Sequence, residues 1–287
     1  MENWNHEYAK VNGVRLHYVK EGSGDSLVIM LHGWPEFWYS WRHQITALKS
    51  NFTVVAPDLR GFNLSGKPDG IKSYTQEEVA KDIVALIKHL GFKKAVVVGH
   101  DWGGAIAWHI ALNYPDLVEK FVVMNCPHPA IFIKNIKSNP SQLLRSWYMF
   151  FFQLPYVPEL AMNFDLKRFF VKAFRDWSYH KENFSDAILE KYVEAYQQER
   201  ALTGGINYYR ANIRAVRAEK QHQNRKVTAP TLMIWGEGDK ALGTELINGT
   251  EKYIDNSFKV HRIKECSHWV QNDCWEEVNS VLLDFLQ

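Results

Sequence analysis

The chain has 287 residues, enough for one large domain, with or without an insertion, and for a sizeable core. Hydrophobic residues make up 46% and charged residues 23%, an ordinary globular composition. The 34 basic and 32 acidic side chains leave a net charge of +2, which gives no reason to expect nucleic acid or an anionic membrane as a partner. Three cysteines (Cys126, Cys266 and Cys274) form no metal-ligand spacing, and their odd number argues against a disulfide framework. The start, "MENWNHEYAK", lacks the basic-then-apolar pattern of a signal peptide. The most apolar stretch, "WYMFFFQLPYVPEL", is too short to span a bilayer and holds two prolines. A cytoplasmic protein without an integral membrane segment is expected. Aromatic content is high, at 14% with 11 Trp, and such side chains fill cores and wall apolar pockets alike.

In chain order, "YAKVNGVRLHYV" reads as two strands around Asn12-Gly13, a type I′ hairpin signal. "SLVIMLHG" and "NFTVVAPDLRG" are short buried strands. "TQEEVAKDIVALIKHLG" predicts a helix with a Thr75/Glu78 capping box, a face of Val79, Ile83, Ile87 and Leu90, and a stop at Gly91. "KKAVVVGHD" is again a strand, "WGGAIAWHIALNYP" a helix ended by Pro115, and "VEKFVVMNCPHP" a strand closed by prolines. This alternation predicts a mostly parallel, doubly wound α/β sheet covered on both faces. Helical patterns then dominate up to about Lys226: "NPSQLLRSWYMFF", with Asn139 as cap and Pro140 at the first helical position, "SDAILEKYVEAYQQE" and "GINYYRANIRAVRAEK". Strand–helix alternation returns with "TLMIWGEGD", a helix, "SFKVHRIKECSH" and "WEEVNSVLLDFL". The expected organisation is an α/β core in two parts, 1–129 and 228–287, interrupted by an all-helical cap over 130–227. Its natural place is above the carboxyl edge of the sheet, where open parallel sheets bind ligands.

"VVVGHDWGGAIAW" has the outline of a nucleophile elbow, a sharp strand-to-helix turn with small residues around an exposed side chain, here Asp101. Asp101, Asp239 and His268 each follow a predicted strand, and nucleophile–acid–histidine is the chain order of the α/β-hydrolase fold. Singly, each also has a plain structural reading: a helix cap, a turn residue, a hydrogen-bonded surface histidine. Upstream, the His-Gly-Trp-Pro of "MLHGWPEFWYSWRHQ" resembles that fold's oxyanion-hole segment. The backbone N–H groups of Trp34 and Trp102 would be its two donors.

The motifs "HGWPEFWYSWRHQ", "DLRGFNLSGKP", "GHDWGG", "PHP", "WGEGDKAL" and "SHWVQND" together make the chain, from about Val11 to its end, resemble the α/β-hydrolase-fold epoxide hydrolases of the soluble and microsomal-like group. Trp34 stands where that family more often has Phe. The resemblance implies hydrolysis of an epoxide to a vicinal diol through an aspartyl ester, without cofactor or metal. The carboxylate chemistry agrees. Asp101, kept ionised by the helix dipole, displaces at a saturated carbon of an epoxide or alkyl halide, and His268, oriented by Asp239, activates water against the ester. The resemblance also selects two cap tyrosines to serve the epoxide oxygen. Tyr209 lies in the aromatic-Tyr-Arg pattern and on the apolar face with Ile206, Ile213 and Val216, which excludes Tyr208. Tyr148 precedes a Phe-Gln-x-Pro segment. A haloalkane or fluoroacetate dehalogenase shares Asp101, Asp239, His268 and Trp102, but its Asn-containing version of the His-Gly-x-Pro segment is absent. A non-catalytic ligand receptor on the same scaffold is a more distant alternative. The expected partner is a small apolar epoxide. Arg210, Arg214, Arg217, Lys220, Arg225 and Lys226 read as a solvated cap surface, His100 and His128 as structural histidines, and Glu36 as a residue near the hydrolytic water through neighbours. No phosphate loop is present.

Overall fold

The computed structural model describes residues 3–213 and 225–287. Eight strands form one sheet: β1 (His6–Val11), β2 (Val14–Glu21), β3 (Leu27–Leu31), β4 (Thr53–Pro57), β5 (Ala95–His100), β6 (Val118–Met124), β7 (Thr231–Gly236) and β8 (Phe258–Ile263). Their order is β1-β2-β4-β3-β5-β6-β7-β8. The β1–β2 and β2–β4 pairs are antiparallel and the rest parallel. The Asn12-Gly13 turn joins β1 to β2 with both residues at positive φ, 45° and 77°, as a type I′ turn requires. β3, β4, β5 and β7 are buried along their whole length, as strands covered on both faces must be. Helix α1 (Arg42–Leu48) packs with the C-terminal helix (Trp275–Leu286), and α2 (Gln76–His89) packs with α3 (Asp101–Asn113).

Thr75 caps α2 by accepting from the Glu78 N–H. The capping box is only half made, because the Glu78 carboxylate bonds Lys81 and the Thr75 N–H is taken by the Lys72 carbonyl. Gly91 ends the helix at φ 85°.

Between β6 and β7 every described element is helical: α4 (Pro129–Ser138), α5 (Pro140–Arg145), α6 (Trp147–Phe151), α7 (Val157–Asn163), α8 (Leu166–Phe170), α9 (Asp186–Gln197) and α10 (Ala201–Asn212), with a π turn at Val171–Arg175 and a 3₁₀ turn at Lys181–Phe184. This is the inserted helical cap. Asn139 caps α5 as predicted, accepting from the N–H groups of Ser141 and Gln142. The single helix expected over 139–151 is instead two, broken at Ser146. There the buried Gln142 amide bonds both the Ser146 hydroxyl and the Ala241 carbonyl, tying the break to the loop after β7. The helix expected between β7 and β8 is two 3₁₀ turns, Thr244–Ile247 and Thr250–Tyr253, separated by Gly249 at φ 89°. Arg214, Val216, Arg217 and Lys220 lie outside the described residues.

Candidate active site

The strand order reverses between β3 and β5, the switch point where parallel sheets of this kind place ligands. Trp34 follows β3 and Asp101 follows β5, so both arrive at that point. Asp101 sits at φ 50°, the strained turn of a nucleophile elbow. Only glycines let this turn close. A Cβ on Gly103 would lie 2.0 Å from the Leu31 carbonyl oxygen, and one on Gly99 would lie 2.4 Å from that of Gly103. A Cβ on Gly33 would lie 2.5 Å from the Cβ of Asp101.

Asp101, Asp239 and His268 converge from three strand ends. His268 Nδ1 lies 2.6 Å from Asp239 Oδ2, and His268 Nε2 lies 3.6 Å from Asp101 Oδ2. Asp239 is held by donors on all sides: the Ala241 and Leu242 N–H groups on Oδ1, at 2.7 and 2.9 Å, and the Asn125 amide on Oδ2 at 2.7 Å. Asn125 itself is fixed at φ 38°, where its side-chain oxygen accepts from the Gly236 N–H at 2.8 Å. This positioning residue escaped the sequence reading. Its one signal is an Asn, a residue that tolerates the left-handed region, directly after a strand.

The Trp34 N–H donates to Asp101 Oδ1 at 2.8 Å. One of the two N–H groups expected as oxyanion donors is therefore bonded to an oxygen of Asp101 itself. The Trp102 N–H makes no such bond among the described residues, because it starts α3 and the second carboxylate oxygen faces His268. Trp34 and Pro35 are joined by a cis peptide bond. Beneath them Glu36 is wholly buried and does not face the cavities. It accepts from the Gly33 N–H (3.0 Å) and Gln271 (2.7 Å) and pairs with His100 Nδ1 (2.7 Å). His100 Nε2 meets the His268 carbonyl at 2.8 Å. Glu36 and His100 thus clamp the oxyanion segment to the histidine loop from behind. His128 caps α4 and stacks on Tyr253.

Electrostatics couple Asp101 to His268. Burial opposes charge on His268, but the carboxylates of Asp239 and Asp101 outweigh it and raise its pKa to about 10. Burial likewise opposes ionisation of Asp101, and His268, His100 and the Trp34 N–H overcome it to hold the carboxyl below its usual range. The resting site is an ion pair. Removing one opposite charge at this range shifts a pKa by roughly 1–3 units. Asp101→Asn should accordingly lower the His268 pKa by that order, as followed by NMR titration of the imidazole. An unchanged value would show that Asp101 does not hold the proton.

Two cavities meet at Asp101, and Tyr148 and Tyr209 line both. The smaller, of about 130 Å³, runs past Trp102, Phe132 and Ile133. The larger, of about 530 Å³, runs past Trp34, Phe152, Phe169 and His268. The two tyrosine rings lie edge to face with centroids 5.8 Å apart, and Tyr209 also meets the rings of Trp102 and Trp34. Burial, and behind it the Asp101 charge, pushes both hydroxyls well above the ordinary tyrosine range, so both remain neutral O–H donors.

Tyr208 is excluded for a different reason than the one expected. It is fully buried too, but it points to the core, where its hydroxyl donates to the Arg60 carbonyl at 2.9 Å. α10 is buried nearly all round because Gly204 packs on Gly61 and Gly205 on Trp34, so an apolar stripe could not separate the two tyrosines. Arg210 is no solvated cation. It pairs with Glu159 at 2.6 Å and donates to the Phe152 and Leu154 carbonyls, pinning the segment after Tyr148. Arg225 bonds Asn113, and Lys226 lies 3.7 Å from Asp255.

Cys266, Asp273 and Cys274 converge despite their unhelpful spacing, with ligand atoms within 4.8 Å of one another. Both Asp273 oxygens are committed to backbone N–H groups of Tyr179, His180 and Ser267, which makes the cluster a brace for the His268 loop. No helix among the described residues is long and apolar enough to cross a membrane.

An alpha/beta hydrolase fold family matches the chain over residues 26–273. The chain is 40% identical to epoxide hydrolase 4 of Mus musculus, over 98% of this chain and 79% of that protein. It is 38% identical to the AB hydrolase superfamily protein YfhM of Bacillus subtilis (strain 168), over 98% and 97%. Its fold matches that of a mutant epoxide hydrolase from Bacillus megaterium, complexed with its naphthyloxy-propane-1,2-diol product, with a TM-score of 0.89 at 33% identity over 98% and 99% of the two chains. With an aspartate at the elbow, a histidine–aspartate pair beside it and these relatives along nearly its whole length, the chain belongs to the epoxide hydrolase family of the α/β-hydrolase fold.

Proposed function

We propose that this protein hydrolyses an apolar epoxide to a vicinal diol in two steps. The observation that carries this reading is the seating of Asp101, with Oδ1 on the Trp34 N–H and Oδ2 toward His268 and the tyrosine-lined cavities. Oδ2 attacks an epoxide carbon, the ring C–O bond breaks, and the departing oxygen takes a proton from Tyr148 or Tyr209. Attack also consumes the Asp101 charge, which adds to burial in keeping the tyrosines weakly acidic and to Asp239 in keeping His268 protonated. Both become better acids as the alkoxide forms, an interaction that strengthens toward the transition state. His268 then releases its proton, which restores the tyrosine, and stands neutral. It next draws a proton from water, which attacks the ester carbonyl carbon. The Trp34 and Trp102 N–H groups stabilise the oxyanion on Oδ1. As it collapses, His268 gives its proton to the departing oxygen and the diol leaves with Oδ2. The new carboxylic acid of Asp101 passes its proton back to His268, restoring the carboxylate and the imidazolium. No step calls for a cofactor or metal.

In this reading 130–227 is the cap that carries the proton donors, and 1–129 with 228–287 is the core that carries nucleophile and base. The aromatic walls around Trp34, Phe152 and Phe169 favour an apolar substrate. A cytoplasmic site of action fits three cysteines that stand free.

One turnover in ¹⁸O-water with enzyme in excess tests the function. Expected are an unlabelled diol and label in the peptide that contains Asp101. A fully labelled first-turnover diol would mean direct hydration, and halide release from chloroalkanes without diol from epoxides would mean a dehalogenase.

A further inference from the structure

The segment "WYMFFFQLPYVPEL" divides its apolar side chains between two settings. Tyr148, Phe151 and Phe152 wall the larger cavity. Facing solvent within the same short stretch of cap are Leu144 (74% exposed), Tyr156 (77%), Leu160 (69%) and Phe164 (93%), together with Phe150. Large side chains exposed singly need no explanation, but a run of them on consecutive elements marks an interaction surface. Trp147 belongs to both settings: it is exposed and it lines the cavity, so the apolar surface continues into the entrance of the site.

Basic residues outnumber acidic ones along this stretch: 144–172 holds Arg145, Lys167, Arg168 and Lys172 against Glu159 and Asp165. Arg145, Lys167, Arg168 and Lys172 flank it, and Arg145, Lys172 and Lys240 line the cavity. Glu159 is paired with Arg210, while Asp165 accepts from the Arg168 backbone N–H and keeps its charge, so the basic excess is carried by Arg145, Lys167, Arg168 and Lys172. Among the described residues none of Lys167, Arg168 and Lys172 is in an ion pair. The near-neutral net charge conceals this local imbalance. Trp, Tyr, Phe and Leu ringed by uncommitted Lys and Arg is the composition that settles at a lipid headgroup boundary, with the cations reaching to phosphate. A second copy is a poorer occupant, because a two-fold contact would set the basic rim against itself.

We propose that this face of the cap docks on a lipid surface with anionic headgroups and opens the cavity mouth toward the bilayer, from which an apolar substrate enters. The docking stands apart from the epoxide reading, and only the delivery depends on it.

The test is co-sedimentation, without substrate, with vesicles of phosphatidylcholine plus phosphatidylglycerol and with vesicles of phosphatidylcholine alone. The protein should bind the anionic vesicles more tightly and be released by high salt. The pairs Leu160→Ser with Phe164→Ser, and Lys167→Glu with Arg168→Glu, should each weaken binding by at least about tenfold. Both should turn over a water-soluble epoxide at the wild-type rate, which shows that the fold is intact. Absence of binding by the wild type, or equal binding by the variants, overturns the proposal. So does a dimer that the same substitutions dissociate while no vesicles are bound. Vesicle binding by a protein inactive on every epoxide would overturn the catalytic reading and leave the docking standing.

Discussion

Incubated with a good epoxide, His268→Gln should gain the mass of one substrate molecule and keep it. The substitution leaves everything the first step needs. Asp101 still has the Trp34 N–H on Oδ1, and the cap tyrosines still face the epoxide oxygen. The buried Asp239 carboxylate is not stranded, because Asn125, the Ala241 N–H and the Leu242 N–H continue to satisfy it. What disappears is, among the described residues, the side chain proposed to take a proton from water beside the ester, and loss of a general base costs about 10²- to 10⁴-fold. Turnover should fall by that order while alkylation persists, more slowly because Asp101 loses its cationic neighbour. Intact-protein mass spectrometry reads the adduct directly. An unmodified variant under conditions where the wild type turns over would place His268 in the first step.

The convergence of Asp101, Asp239 and His268 was legible because each follows a strand whose apolar run is unmistakable in sequence, and because their order along the chain is itself a fold signature. The Asn12-Gly13 hairpin and the Gly91 stop were legible for the same local reason: each is a backbone conformation that few residues adopt. What escaped depends on distance in the chain. Asn125 acts on Asp239, 114 positions away, and the pairing of Glu36 with His100 spans 64. Tyr209 lines the cavities and Tyr208 turns to the core, but the face argument offered for that separation failed. A helix packed on core and cavity at once has no single apolar side. Likewise the break at Ser146 follows from Gln142 reaching the Ala241 carbonyl across the cap–core boundary, and the prolonged helical pattern of 139–151 carries no trace of it.

The tyrosine pair should produce the other large effect, and in a non-additive way. Tyr148 and Tyr209 line the same two cavities from two cap helices, so in the proposed reaction either can hold the epoxide oxygen when the other is lost. Tyr209 is the more constrained of the two: it is buried, and the rings of Trp102 and Trp34 meet it edge to face. Tyr209→Phe should therefore slow alkylation more than Tyr148→Phe does, and removing a well-placed acid costs about 10²- to 10⁴-fold. Each Phe keeps the ring that packs against its neighbours, so the cavity walls and the edge-to-face contact between the pair are preserved. The double variant leaves the leaving oxygen to develop charge in an apolar, desolvated cavity with neither cap hydroxyl to meet it, and should be nearly inactive. Pre-steady-state alkylation of Asp101, followed by quenched mass spectrometry, isolates this step from ester hydrolysis, which His268 governs. The hydrolysis rate of ester already formed should change far less than alkylation does. A double variant that alkylates at the wild-type rate would remove both hydroxyls from the chemistry and reduce the cap to a wall around the substrate.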